Sequence, residues 1–493
     1  MTVIYNSTLF KRRSVMVKKL SLVLACVLLF SATPVMAQVD YCEGNFDNDN
    51  DQDGTDAFVF KQDFGRSSLL DPCPVIECQT AEQLEMRIVQ LEALLANVTR
   101  VMVDERETIR FSGVNVQIVD GSGTTDGTVN GLGNLIVGYN ELRGSLDNRT
   151  GSHNIVVGRE HNYSSYGGLV AGSLNTLTAP YASVSGGRNN SARYAYSSVS
   201  GGEFNTAFGY ADSISGGHNN VANGDYASVS GGYSNEASGE GASVSGGYDS
   251  TATGDYATVS GGSQNSASNW SASVSGGRYN QAMGSWSFVG GGGNDEAGYG
   301  NKAFADFSAI LGGTFNTAGD PNLVDTSIGI YSSISGGIIN SASGWGASAN
   351  GGTYNEASGY AASASGGYNN RAMGDYSFIG GGGNEDPAYA NYAVANYSAV
   401  LGGARNTAGD PNHTDTAIGP YASVSGGYDN TASGQYSSVS GGEHNTASAT
   451  SASVSGGFIN TASGGWSSIS GGNSQSVTGF DDWRGGSCFF CEN

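Results

Sequence analysis

The chain has 493 residues, among them 78 glycines and 8 prolines, and a formal net charge of −23. That acidity disfavours nucleic acid and anionic membranes as partners, because both reward Lys and Arg. The few prolines and the lack of glycine at every third position exclude collagen, and a disordered linker does not keep Val, Asn and Ala columns in phase with its glycines.

Residues 1–37 predict an export signal. Lys11, Arg12, Arg13, Lys18 and Lys19 form a basic start, residues 20–30 an apolar stretch, and Val35-Met36-Ala37 a small-residue cleavage site. The apolar stretch is too short to span a bilayer comfortably. Cleavage leaves 16 Lys plus Arg against 44 Asp plus Glu, which suits an extracellular or cell-surface location and divalent cations. Five cysteines survive it and are expected to oxidise outside the cell. By position, Cys42 and Cys73 staple an N-terminal module, Cys488 and Cys491 form a local pair, and Cys78 is left to bridge neighbouring chains.

Residues 38–78 form an acidic module. Asn45, Asp47, Asp49, Asp53 and Asp56 fall at positions 1, 3, 5, 9 and 12 of a loop, with the Asp51 carbonyl at position 7. A hard cation wants six to eight such oxygens, so Ca²⁺ is the expected cofactor. The pattern resembles a single dockerin-type calcium loop, with Asn50 where that loop usually has Gly; Asn also tolerates left-handed backbone angles. Dockerins pair two loops and this chain has one, so calcium binding is implied and cohesin binding is not.

Residues 79–101 predict a helix. Leu84, Ile88, Leu91, Leu95 and Val98 alternate spacings of four and three, as in a coiled-coil seam. At barely three heptads it would serve to register chains, since alone it is marginal. Residues 102–135 read as a β transition, with 109–111 and 114–119 alternating like strands and 120–123 turn-forming.

A fifteen-residue repeat then occupies 136–479. Val184, Val199, Ile214, Val229, Val244, Val259, Val274 and Val289 recur at that spacing, followed six residues on by Asn190, Asn205, Asn220, Asn235, Asn265 and Asn280, and two further on by alanine. Such a period predicts a solenoid whose units bury their apolar side only by stacking. In each unit Ser183-Val184-Ser185 and Ser191-Ala192-Arg193 predict two short strands with Val and Ala inward. About twenty rungs would make a body on the order of 90–100 Å long, and stacked asparagine amides can hydrogen-bond along the ladder. Two excursions between Val289 and Ile334 recur between Ile379 and Val424, with candidate loops at 294–306 and 384–396; the motifs 288–294 and 316–322 return ninety residues on at 378–384 and 406–412, which reads as a duplicated block of six units.

One large apolar residue per fifteen is thin. A buried Val contributes roughly 1.5–3 kcal/mol, against about 1–2 kcal/mol of entropy for each residue fixed. Packing several chains about one axis would supply the difference. Aromatics stand three residues before the valine at Tyr181, Tyr196, Tyr226, Tyr256, Trp286, Tyr331, Tyr376, Tyr421, Tyr436 and Trp466. They either line that interface or form an exposed ladder for glycans or proteins; the interface answers the missing burial.

The units 430–434 and 437–442, Asn-Thr-Ala-Ser-Gly and Ser-Ser-Val-Ser-Gly-Gly, resemble the head repeats of YadA-like trimeric autotransporter adhesins. The resemblance implies a left-handed parallel β-roll built by a homotrimer at the cell surface, binding extracellular matrix, a cell-surface protein or a glycan. This chain departs from that family in an extra glycine (Gly187, Gly202), in a coiled coil placed before the head, and in a tail, 480–493, without the family's amphipathic β-strand anchor. The expectation is therefore signal-dependent export, then release or attachment through another protein.

Three functional classes fit a solenoid. The favoured one is a non-enzymatic adhesin. A phage-fibre-like or ice-binding body with flat hydroxyl faces is the second. A β-helical polysaccharide-active enzyme needs convergent acids or bases, whereas His153, His161, His218, His413 and His444 are scattered. For a ligand site, the duplicated excursions stand out: Asp295, Glu296, Asp320 and Asp325 match Glu385, Asp386, Asp410 and Asp415.

Overall fold

The computed structural model describes residues 81–485 apart from 145 and 297. The export signal, the 45–56 calcium loop and all five remaining cysteines lie outside the described residues. The chain divides into two units, one ending at Val116 and one beginning at Gln117.

In the first unit, helix α1 runs Ala81–Leu94, built from strong helix formers with Glu82 in the first turn, where the helix dipole favours an acid. It ends sooner than the heptad spacing predicts. Val98 begins strand β1 (Val98–Val103), which pairs antiparallel with β2 (Arg106–Phe111) from Val98↔Phe111 to Val103↔Arg106. The β-branched content of Val98–Val103 competes with helix, and six cross-strand pairs outweigh one more heptad position. The two-residue turn is made by Asp104 and Glu105 at φ of +46° and +62°, the positive angles that match hairpin twist. Residues 114–119, expected as a strand, are irregular.

The second unit is a parallel β-solenoid of about 22 turns. One sheet, the valine sheet, runs from Leu135–Val137 to Trp483–Arg484; the other, the alanine sheet, runs from Asn162–Tyr163 to Ser476–Val477. Successive rungs pair in register, Val184 with Val199, Val199 with Ile214, and Ala192 with Ala207. A third column of single bridges joins Arg188, Glu203 and His218. The last rung reaches Arg484, so the expected tail from 480 begins inside the solenoid, where Trp483 and Arg484 pair with Ser468 and Ile469.

The duplicated block holds five rungs, not six. Val289 pairs with Ile310, 21 residues on, and Ile310 with Ile334, 24 residues on. The excursions use up the residues of the missing rung. Ile379, Val400 and Val424 repeat the pattern.

The interior of a rung is filled by small side chains. Ala182, Val184, Asn190 and Ala192 are each fully buried, as are their counterparts along the body. The second glycine of each pair is a steric necessity. Gly187 has φ +79°, and a Cβ there would fall 2.1 Å from the Gly202 carbonyl oxygen and 2.6 Å from Asn190 Nδ2. The extra glycine thus lets the asparagine and the next rung approach. One chain fills its own core in this way, so any case for further copies rests on the outer surfaces.

Candidate functional site

The buried asparagines form a continuous ladder, but not by amide stacking alone. Asn205 Nδ2 donates to the Gly201 and Gly217 carbonyls at 3.0 and 2.9 Å, while its Oδ1 accepts the Asn220 backbone N–H at 3.0 Å. Each amide therefore ties its own corner to the next rung. Direct amide–amide bonds occur at some rungs, such as Asn220 Nδ2 to Asn205 Oδ1 at 3.1 Å. Ser250 occupies one position: its N–H donates to Asn235 Oδ1 at 3.0 Å, and its Oγ accepts the Asn265 N–H at 3.3 Å. His161 begins the ladder. Its Nδ1 accepts the Asn175 N–H at 3.2 Å and its Nε2 sits 3.0 Å from the Val157 carbonyl, so the bonding assigns a neutral ring with the proton on Nε2. Burial lowers its pKa, which suits that form.

The other histidines are also held in structural columns. His153 Nε2 accepts the Asp120 N–H. His218 stacks on Tyr233, His413 on Tyr392 at 3.7 Å between centroids, and His444 lies 2.8 Å from Asp429. Among the described residues no group of three or more His, Cys, Asp or Glu is placed to hold a metal.

Five of the eight candidate carboxylates, Asp320, Asp325, Asp386, Asp410 and Asp415, are engaged with their own loops. Asp320 accepts the N–H groups of Asn322, Val324 and Asp325 at 2.8, 3.0 and 3.2 Å. Asp410 does the same with Asn412, Thr414 and Asp415, and adds the Thr414 hydroxyl. Those donors hold the Asp320 and Asp410 carboxyls below the usual range, Asp410 strongly so. Asp325 accepts from Ser327 N and Oγ, Asp415 from Ala417 N, and Asp386 caps the turn Pro387–Tyr389. Asp295 pairs with Arg278. The first excursion proper is 294–299, since Lys302–Ala303 is already a rung strand and Asn301 is buried; the copy corresponds at 384–389.

Along one corner the aromatics stack into a ladder. Rings run from Tyr166 through Tyr181, Tyr196 and Tyr210 to Tyr226. A longer run extends from Tyr256 to Tyr436, with neighbouring centroids 4.4–5.9 Å apart. Between the runs stands Glu240, which accepts from the Tyr256 hydroxyl at 3.2 Å. The spacing of three before the valine misses part of this ladder. Where that position is Ala211, Ser271, Gly346 or Ala361, the ring comes from the residue before, at Tyr210, Trp270, Trp345 or Tyr360, and still joins the stack. The rings are about half exposed, for example Tyr196 at 51%.

One carboxyl is buried in the core itself. Asp212 takes the place that Ala182 and Ala227 hold in other rungs, fully buried, and accepts the Ala227 N–H at 2.8 Å. Burial raises its pKa to about 6. Nothing in the repeat pattern marks it except the break in an Ala/Ser column.

No protein-family model matches the chain, and no curated protein matches it significantly.

Proposed function

We propose that this chain is a non-enzymatic, exported, adhesin-like protein that presents its solenoid as a binding rod in a homotrimer. The observation that carries the reading is the continuous parallel ladder from Leu135 to Arg484, with hydroxyls and ring edges turned outward along it. In this reading the roll winds left-handed, as in YadA-like heads. Helix α1 adds support for self-association. Leu84, Leu91 and Leu95 are half exposed, and Ile88, Leu91, Glu92 and Leu95 line a shallow depression, the surface a short coiled coil would close. Asn45, Asp47, Asp49, Asp53 and Asp56, with the Asp51 carbonyl, hold Ca²⁺ in this reading.

The mass of the mature protein in solution tests the assembly: three chains are expected, and a monomer at every concentration overturns it. Attachment to immobilised matrix proteins tests the role. Excising 294–299 together with 384–389 should weaken attachment if the excursions carry the ligand; unchanged attachment moves the ligand to the rod. Calcium titration of the whole mature chain should show one site, absent in Asp49→Ala.

A further inference from the structure

The two sheets present different chemistry to the outside. On the valine sheet, the residues flanking the inward valine are the outward ones. Across the eighteen rungs from Ser183 to Ser470, none of these 36 residues is charged. At the chain's 13% charged content, about five charges would be expected there, and charge depletion is a mark of interface cores. The outer face of the alanine sheet carries Arg193, Glu236, Lys302, Glu356 and Arg371 in the corresponding places.

In fourteen of the eighteen rungs both flanking residues are Ser, Thr or Asn. The remaining four form two apolar steps: Phe288 with Leu311, and Phe378 with Leu401. Leu311 and Leu401 are 59% and 55% exposed. The steps lie five rungs apart, about 24 Å. The aromatic ladder borders this face. Many of its ring faces are already taken by neighbouring rings, as in Trp345–Tyr360 and Tyr397–Tyr421, tilted by 4° and 8°, so the ladder offers mostly ring edges. Edges interdigitate with protein side chains; sugars stack on faces. Eighteen rungs give a strip about 85 Å long and about 10 Å wide, near the roughly 800 Å² per partner of a stable interface.

We infer that the outer face of the valine sheet, 183–470, is the surface through which copies of this chain pack on one another, with Phe288, Leu311, Phe378 and Leu401 as its apolar anchors. The inference rests on the self-association proposed above and names the surface that performs it.

The test is sedimentation of the whole mature chain over a range of concentrations. Ser230→Arg with Ser440→Arg places two cations on the exposed strip; Ser268→Arg with Ser448→Arg places two on the alanine sheet. The first pair should weaken association at least a hundredfold, with far-UV circular dichroism unchanged, and the second pair should leave it intact. If the first pair misfolds, Leu311→Ser with Leu401→Ser keeps the hydroxyl pattern and should weaken association at least tenfold. A folded strip variant with wild-type mass overturns the inference and leaves the trimer standing. A wild-type monomer overturns both. A monomer captured by insoluble neutral polysaccharide, and released by the same serine substitutions, gives the strip another occupant and also overturns the inference.

Discussion

Residues 81–119 and the solenoid treat apolar side chains in opposite ways. In the first stretch Leu84, Met86, Leu91, Leu94, Met102, Ile109 and Phe111 are all exposed, although they sit in a regular helix and a six-pair hairpin. In the solenoid the Val and Ala columns are fully buried in two-residue strands. Local regularity and burial are thus separate achievements. Propensity and turn chemistry shape α1 and the hairpin, whose apolar faces stay exposed. The rung has little local structure of its own; stacking gives it both its hydrogen bonds and its core.

The sharpest way to break this contrast is to cut the ladder that joins rungs. Asn205→Ala leaves the Asn220 N–H and the Gly201 and Gly217 carbonyls without their amide. The expected cost is about 3–5 kcal/mol, read as faster hydrogen exchange in the adjoining rungs, with α1 unaffected. A loss below about 1 kcal/mol would mean that the rungs hold without the amide.

Two carboxyls should respond to pH with opposite sign. The Asp212 carboxyl has a folded pKa raised to about 6, so its contribution is present below about pH 4 and is lost as pH rises through about 6. Asp212→Ala should make rungs near 212 more stable at pH 7 and flatten their pH dependence. Asp410 is shifted downward, so its contribution is present above about pH 4 and lost as pH falls below it. Asp410→Ala should open 410–415 to proteolysis at neutral pH, as acid does in the wild type.

A smaller gain is expected from Ser250→Asn. The new amide would reach the Gly246 and Gly262 carbonyls, as its neighbours reach theirs, and stabilise that rung by about 1 kcal/mol. The smallest effect on the rod is expected from Leu84→Glu with Leu91→Glu. Both residues are already exposed, so solenoid exchange rates should not move, while association through α1 should weaken. A slowed or quickened solenoid would show that the two units are energetically coupled.

Much of the rod was legible before its structure. The Val and Ala columns point inward where the period places them, because side-chain direction in a strand follows from spacing alone. The asparagine column was legible as a ladder, but its partners were not: amide–amide and amide–backbone bonding leave the same mark in one dimension. The candidate acids were legible as a cluster, but the loop N–H groups that Asp320 and Asp410 accept were not, since a chain cannot display which donors a folded loop turns toward a carboxylate. Helix and hairpin compete at Val98, and cross-strand pairing decided between them. The 45–56 loop lies outside the described residues, so the calcium reading rests on its spacing.

The sequence by itself determined the rung length and the inward residues, since both follow from a local period; that the extra glycine is required was decided by the next rung, whose carbonyl a Cβ would strike. Only the tertiary structure decided that the ninety-residue block holds five rungs, that Tyr210, Trp270, Trp345 and Tyr360 complete the aromatic ladder from a shifted position, and that His161 stands in for an asparagine. These depend on where one turn of chain lies over the next, a distance in space that fifteen residues of spacing do not encode.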